Sequence, residues 1–286
     1  MEKHSMRTIS DKTGIPFYKL SPGGNTTLLI PASAVPPDKR AAVAAELMNS
    51  LHLGAEQVGF IDLDAGTPGI AMMGGEFCGN ACRCLAALLV MLAEKEPANW
   101  PITGTLSSAG AVAPVVWRVR PDTREADGLD AAVRIDLAGA TLSELELGLI
   151  RVDMPGIVHL LLDETLHPLP VDPVAEATKW RQRLNLTAEP AVGCIRRAPL
   201  DAREQYIRPL VWVRDTNSSC PETACGSGSL ALALALHAAT GICQVNIRQP
   251  SGENIVVELE SGPDSALCGW IGGPVKLIAE GKAYLK

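Results

Sequence analysis

Two similar turns, each placing a cysteine just ahead of a long apolar run, constrain this chain more than any other feature. Residues 72–81 read Met-Met-Gly-Gly-Glu-Phe-Cys-Gly-Asn-Ala, and residues 221–228 read Pro-Glu-Thr-Ala-Cys-Gly-Ser-Gly. Alanine-rich apolar segments follow both turns, so we predict that Cys78 and Cys225 each begin a helix. Backbone N–H groups lack partners there and the helix dipole is positive, which lowers a thiol pKa and favours a bound carboxylate. Two such ends facing each other would hold one carboxylate between two thiols.

The composition is that of a globular protein and argues against several classes of function. Of the 286 residues, 47% are apolar and 20% charged, which suits one large or two medium domains. The net charge of -7 argues against nucleic-acid binding, and no apolar run is long enough to span a membrane. Residues 1–10 carry charges and lack the apolar segment of a signal peptide. We therefore expect a cytoplasmic protein that binds neither nucleic acid nor membrane, with its eight cysteines reduced.

The predicted elements occur in the same order twice. Each half runs strand, helix, strands, cysteine turn, helix and further strands, with the two cysteines in equivalent places. This pattern predicts two similar domains, 1–138 and 139–273, related by a pseudo-twofold axis, with a site in the cleft between them. We expect the C-terminal strand, within 274–286, to complete the first domain. Apart from the helices at the cysteines, helices are predicted at 38–53 and 173–184, and strands at 26–31, 57–63, 69–73, 112–119, 132–137, 158–162, 192–196, 206–213, 244–249, 255–259 and 275–278.

Five short motifs resemble those of the diaminopimelate epimerase superfamily. They are Gly-Asn-Thr at 24–26, Cys-Gly-Asn at 78–80, Cys-Gly-Ser-Gly at 225–228, Pro-Ser-Gly at 250–252 and Gly-Gly-Pro at 272–274. The resemblance runs along nearly the whole chain in matching order. It implies an α/β (α+β) fold of two pseudo-symmetric domains, each a curved sheet around a central helix. It also implies the activity of a cofactor-independent amino-acid racemase or epimerase.

The substrate that the resemblance implies is not diaminopimelate. The family's turn with an arginine for a distal carboxylate corresponds here to Asp215-Thr216-Asn217, and such an arginine is not readily replaced. Other stretches are similar to the histidine racemases that supply D-histidine for opine-type metallophores. A polar or basic amino acid with one carboxylate, such as histidine, is therefore the implied substrate. The stretches similar to histidine racemases are 57–61, 76–81, Glu222 and 281–284.

Inversion of an α-carbon needs a base on one face and an acid on the other, and a thiolate and a thiol meet this need. Cys78 and Cys225 are the candidates, and a helix start would lower their pKa. Backbone N–H groups would bind the negative charge that grows on the carboxylate. We expect no cofactor and no metal site, because no glycine-rich dinucleotide motif has the required context. The candidate substrate-binding residues are Gly79, Asn80, Gly226 and Ser227 through their N–H groups, Glu222 and Glu76 as carboxylates for the ammonium group or a thiol, Asn25 by its family position, and His159.

The candidate site residues also have less specific, structural interpretations. A lone cysteine is more often a small core residue, and His159 is equally consistent with a satisfied strand position. The spacing of Cys78, Cys82 and Cys84 suggests a metal site, but it would scatter the three over different faces of a helix. We interpret the six remaining cysteines as structural.

The residues also leave four alternative functions open. Two belong to the same class: a diaminopimelate epimerase and a proline-racemase-like enzyme. The other two are a phenazine-biosynthesis-type isomerase, which works through a carboxylate instead of two cysteines, and a non-catalytic ligand-binding relative. The expected partner of this chain is a small amino-acid substrate, and the candidate assembly is a homodimer.

Overall fold

The computed structural model describes residues 14–93, 99–124, 128–200, 204–215, 217–262 and 267–285. Within these ranges it contains four α-helices and seventeen strands. The helices are α1 (Arg40–Met48), α2 (Gly79–Met91), α3 (Pro173–Arg183) and α4 (Gly226–Thr240). The strands of the first half are β1 (Ile15–Ser21), β2 (Thr27–Pro31), β3 (Gln57–Asp62), β4 (Gly69–Met72), β5 (Ile102–Ser108), β6 (Val115–Pro121) and β7 (Leu129–Asp136). Those of the second half are β8 (Thr141–Glu146), β9 (Leu149–Met154), β10 (Ile157–Asp163), β11 (Ala191–Pro199), β12 (Glu204–Val213), β13 (Ser218–Pro221), β14 (Gln244–Arg248), β15 (Asn254–Ser261), β16 (Leu267–Gly272) and β17 (Pro274–Ala283).

The strands of the first half close into a barrel around α2. Each strand from β1 to β6 pairs with its successor, and β17 pairs with both β7 and β1, which completes the ring. The pairs β2–β3 and β4–β5 are parallel and the others antiparallel. The side chains of α2 from Ala81 to Leu88 are almost completely buried, so this helix forms the centre of the barrel.

The strands of the second half pair in a similar order around α4. They form the row β8–β9–β10–β11–β12–β14–β15–β16, with β10–β11 and β12–β14 parallel, while β13 pairs with the other end of β12. The row joins the barrel through the antiparallel pair β16–β7. After its first turn α4 is apolar on all sides, and Leu230 to Ala235 are buried, as expected of a helix enclosed by sheet.

One apolar core contains residues of both central helices, and two smaller clusters lie under the outer helices. The cluster under α1 includes Leu47 and Phe60, and that under α3 includes Ala177 and Trp212. The fold is thus mixed α+β and dominated by sheet. None of the helices in the described ranges combines the length and apolar character that a bilayer crossing needs.

The local signals for two helices are confirmed. The Asp172 side chain accepts the Ala175 N–H at 2.9 Å, with Pro173 at the first helical position, so α3 begins as predicted. Gly241 ends α4 with a φ of 74° in the left-handed region, where glycine is least strained.

The first predicted helix is wrong in its bounds. It was expected over 38–53, but α1 spans Arg40–Met48. Asp38 lies in a preceding 3₁₀ turn and makes no capping hydrogen bond. Leu51 is 91% exposed, so no packing extends the helix to it. Strands β1, β5, β8, β9, β13 and β16 were not predicted.

Candidate active site

Both cysteines lie at the N-cap positions of the central helices, in agreement with the prediction. Cys78 precedes α2 with φ -135° and ψ 108°, and Cys225 precedes α4 with φ -124° and ψ 106°. These extended conformations direct each side chain back over the first helical turn. The Cys225 Sγ accepts the Gly228 N–H at 3.3 Å and therefore acts as a helix cap.

The two helix starts meet at one side chain of the connecting strand β16. A Cβ at Gly79 would lie 3.6 Å from Ile271 Cδ1, and one at Gly226 would lie 3.5 Å from Ile271 Cγ2. Asn80 approaches from α2, with its Oδ1 3.2 Å from the position of a Gly226 Cβ. The glycine that follows each cysteine therefore lies against the same side chain, Ile271, so the two helix starts are close together.

Two predicted substrate-binding asparagines hold the chain just ahead of Cys225. The Asn25 and Asn80 amide groups donate to the Ala224 carbonyl at 3.1 and 3.3 Å. The Asn25 backbone N–H also donates to Thr223 Oγ1 at 2.7 Å. Both side chains are buried and position Cys225 relative to the first half of the chain.

Arg83 is a residue of this region that sequence reasoning missed. Its guanidinium is fully buried and donates to the Asn80 Oδ1 at 3.1 Å and to the carbonyls of Ala131, Pro22 and Pro274. Burial lowers its pKa to about 10. The side chain ties α2 to three separate strand ends, and no local signal distinguishes it from a surface arginine.

Cys78 is half-buried, and its thiol lies against Gln57. The sulfur donates to Gln57 Oε1 at 3.2 Å. Burial raises the pKa of the Cys78 thiol to about 11, and the charges of Glu222 and Glu76 raise it further, opposed by the Ala81 N–H. The expectation that the helix start lowers this pKa is wrong for the unliganded protein, because the loss of water outweighs the helix N–H groups.

Cys225 is 2% exposed, and its thiol lies against a carboxylate. Burial and the charge of Glu222 raise its pKa well above the ordinary value, against the Gly228 N–H. Glu222 is hydrogen-bonded to this thiol; burial raises its pKa to about 7, and the nearby Glu56 acts in the same direction. Glu222 therefore ionises near neutral pH beside a cysteine, as a proton-transfer group would.

Glu56 and Gln249 are further residues that the sequence did not single out. The Glu56 carboxylate accepts from Thr223 Oγ1 at 2.6 Å and from the Thr26 N–H at 3.2 Å, so it links both halves. Gln249 Oε1 accepts the Cys225 N–H at 2.9 Å. Gln249 stands directly before the Pro-Ser-Gly motif and Glu56 directly before the stretch 57–61, so both were adjacent to motifs already noted.

The other carboxylate candidates lie at the surface. Glu76 is exposed, and its Oε2 turns back toward its own loop, 2.5 Å from the position of a Gly74 Cβ. Asp215, in the stretch where the family has its arginine turn, forms an ion pair with Arg214 at 3.0 Å. Asn217 accepts from the Trp212 indole, and Thr216 lies outside the described residues.

His159 is completely buried inside the sheet. It lies on β10 between Val152 and Gly193, and neither ring nitrogen has a hydrogen-bond partner. Burial lowers its pKa to about 3, so the imidazole is neutral at physiological pH. Its ring covers Gly193, where a Cβ would clash with it.

We expect Gly193→Ala to destabilise the fold by about 1–3 kcal/mol, since the ring has no room to move in a packed core. Thermal unfolding would measure the loss, with Gly66→Ala, at an open position, as the matched control. Adding His159→Ala should make the double variant less unstable than the sum of the single changes. Additive effects would show that the ring is not the obstacle.

The remaining cysteines divide into two groups. Cys82, Cys84, Cys194 and Cys268 are buried, whereas Cys220 and Cys243 are exposed and so do not belong to the core. All eight are free thiols. In the described part of the chain, no three His, Cys, Asp or Glu side chains come close enough to hold a metal ion.

The sequence matches histidine racemases over nearly its whole length. The family model of the histidine racemase CntK N-terminal domain matches residues 14–284. A histidine racemase of Fusobacterium nucleatum is 31% identical over 282 residues, which cover 94% of this chain and 97% of that protein.

Solved structures share the fold at much lower identity. A probable proline racemase from Agrobacterium radiobacter K84 superposes with a TM-score of 0.66 and 14% identity, covering 95% of this chain and 93% of that one. A Bacillus anthracis phenazine biosynthesis protein gives a TM-score of 0.68 and 10% identity, covering 96% and 100%. The fold alone therefore does not separate these activities, whereas the sequence match does. Because that match is nearly complete, the chain belongs to the histidine racemase family and is an isomerase of the amino-acid racemase class.

Proposed function

We propose that this racemase inverts the α-carbon of histidine with Cys78 and Cys225 as its two acid–base groups and without a cofactor. The observation that carries the proposal is the meeting of two cysteine-capped helix starts at Ile271. Each sulfur also has its own polar partner, Gln57 or Glu222. A structural cysteine needs neither feature.

The helix starts supply the binding site for the substrate carboxylate in this proposal. The first N–H groups of a helix have no intrahelical acceptor, and those of Gly79, Asn80, Gly226 and Ser227 belong to the two facing ends. One sulfur removes the α-proton and the electron pair moves into the carboxylate, where these N–H groups stabilise it. The other sulfur then donates a proton to the opposite face. For the other enantiomer the two sulfurs exchange roles.

The charges around the site support a substrate with a polar or cationic side chain. The Glu222 carboxylate lies beside Cys225 and the Glu56 carboxylate lies against Thr223, and such groups suit an ammonium or imidazolium group. A second substrate carboxylate would meet repulsion there. Histidine is the leading candidate because the relatives that match the whole chain are named histidine racemases.

We also propose two domains, 1–138 completed by 274–286, and 139–273, with the substrate in the cleft between them. The support is the order of strand pairing, which is similar in the two halves, and the position of β17 in the first barrel. The contacts of Asn25 and Asn80 with Ala224 join the halves beside the cysteines.

The test is α-proton exchange in deuterated buffer with L-His, L-Lys, L-Arg, L-Ala and LL-diaminopimelate, followed by NMR. We expect L-His to exchange fastest, with L-Ala slower by about 10²-fold or more, because a site with buried polar groups rejects an apolar analogue. Chiral chromatography should show D-His in the same samples. The double variant Cys78→Ala/Cys225→Ala gives the background rate. Fastest exchange with diaminopimelate would contradict the substrate assignment, and exchange with no amino acid would contradict the function.

A further inference from the structure

Gln57 connects Cys78 to a short chain of hydrogen bonds that runs into the buried interior. Its Oε1 lies 3.2 Å from Cys78 Sγ and its Nε2 lies 2.7 Å from Thr27 Oγ1. The Thr27 hydroxyl in turn donates to the Asn25 carbonyl at 3.1 Å. Gln57 is the first residue of β3, next to the pair β2–β3, so the sheet holds both ends of this chain in place.

The Thr27 hydroxyl determines which end of the Gln57 amide faces the sulfur. Thr27 is fully buried, and its single proton is used by the Asn25 carbonyl. Its oxygen can therefore only accept from Gln57, as it does from Nε2 at 2.7 Å. The amide oxygen of Gln57 then faces Cys78. An amide oxygen carries no proton, so the thiol must donate.

The sulfur of Cys225 has surroundings of the opposite kind. It accepts the Gly228 N–H at 3.3 Å and lies 3.6 Å from the Ser227 hydroxyl, both of which suit a thiolate. Its own proton has an acceptor in Glu222. The two sulfurs are thus not equivalent in the free protein, although the helix starts that carry them are alike.

We propose that Gln57 is a positioning residue that keeps Cys78 as the neutral thiol in the free enzyme, so that the Cys225–Glu222 pair holds the negative charge.

The assignment of acid and base that follows rests on the proposed two-thiol racemisation. Cys225, with its proton passed to Glu222, takes the α-proton and forms an S–H bond. The substrate electron pair moves into the carboxylate, and the Cys78 S–H bond breaks as its proton goes to the opposite face of the α-carbon. Cys78 leaves the cycle as a thiolate and regains a proton while the Cys225–Glu222 pair loses one, so charge is conserved.

The charged and titratable groups near Cys78 do not replace the neutral Gln57 in this role. Glu222 and Glu76 disfavour the thiolate through their negative charge, and the buried Arg83 favours it. Cys82, one turn along α2, interacts with Cys78 but is itself neutral, because burial raises its pKa to about 12. Gln57 is the hydrogen-bond acceptor that the structure shows for the Cys78 proton.

The test is the rate at which iodoacetamide modifies each cysteine at pH 8 without substrate, resolved by peptide mass spectrometry. Only the thiolate reacts, so the rate follows the thiolate fraction. Gln57→Met removes the acceptor and keeps the volume, and should speed modification of Cys78 about three- to tenfold, as expected for the loss of one hydrogen bond to the thiol. Thr27→Val leaves Gln57 in place but frees its amide to turn its N–H groups to the sulfur, and should act in the same direction.

The controls separate this proposal from a general loss of structure. Gln244→Met changes an exposed glutamine on β14 and should leave both rates unchanged. Cys194, buried in the second half, should stay unmodified in every variant, and Cys225 should change by less than twofold. An unchanged or slower rate at Cys78 in Gln57→Met would overturn the proposal. An amide N–H that donated to the sulfur would stabilise the thiolate, so its removal would slow the modification. If Thr27→Val left the modification rate of Cys78 unchanged, the orientation assigned to the Gln57 amide would be wrong. Because no substrate is used, the result is independent of whether histidine is racemised.

Discussion

Replacing either Cys78 or Cys225 by alanine should lower kcat/KM for racemisation by at least about 10³-fold, since in the proposed mechanism each change removes the acid or the base on one face of the α-carbon. The two enantiomers have equal free energies, so kcat/KM must fall equally for the L-to-D and D-to-L directions. Polarimetry or chiral chromatography from each pure enantiomer would measure both. The exposed Cys243→Ala is the matched control and should retain the wild-type rate.

Two further measurements make this result specific. The double variant should be little worse than either single one, because the two thiols act as a unit. Thermal unfolding should show that each variant is folded, since Cys78 is half-buried and the loss of one sulfur atom at the buried Cys225 leaves only a small cavity. A single variant that racemises at a rate near that of the wild type would rule out the two-thiol mechanism.

Glu222→Gln should lower kcat/KM by about 10²–10³-fold, the usual contribution of one acid–base group. The structure raises the pKa of Glu222 from 4.5 to about 7, chiefly by burial. As the acceptor of the Cys225 proton it acts when ionised, so the wild-type rate should rise with pH through about 7. The variant should lose this rise. The matched control is the exposed Glu280→Gln, which should leave the profile unchanged.

The stability of the fold should change with pH in the direction opposite to the rate, falling as the pH rises through about 7. The folded pKa of Glu222, about 7, lies above its ordinary value of 4.5, so folding favours the neutral form. That contribution to stability is complete below pH 4.5 and is lost as the pH rises through 7. Glutamine is neutral throughout, so the variant should be at least as stable as the wild type at pH 8. A variant that is both inactive and less stable at pH 8 would indicate a structural role instead.

The phenazine-type alternative and the racemase share one fold, so the choice between them depends on the site. The Bacillus anthracis phenazine biosynthesis protein superposes as well as the proline racemase does. The chain itself carries both cysteines at matching N-caps, and its sequence belongs with histidine racemases. Retention of two thiols at these positions is what a cysteine-dependent isomerase requires and a carboxylate-dependent one does not.

The sequence was informative about elements with strong local signals and not about the strands between them. Asp172-Pro173 predicted the start of α3, and Gly241 the end of α4, because caps depend on one or two residues. Strand β8 has no alternating pattern, as nearly all its residues are exposed, and among the described strands it pairs only with β9, which places it at an edge. Strand β5, rich in Thr, Ser and Gly, is likewise defined by its neighbours β4 and β6. Such strands follow from the sheet and not from their own residues.

By itself the sequence determined where the two thiols lie along the chain and at which kind of helix end, because a cysteine-glycine turn before an apolar run is a local property. Only the tertiary structure decided what surrounds them. Gln57 reaches Cys78 from 21 residues away, and Gln249 reaches Cys225 from 24. Glu56 reaches Thr223 across 167 residues. The thiol pKa values follow from these contacts and from burial, which reverse the lowering that an isolated helix start would produce. Burial depends on every element that covers a group, so no stretch of the chain around either cysteine could have predicted it.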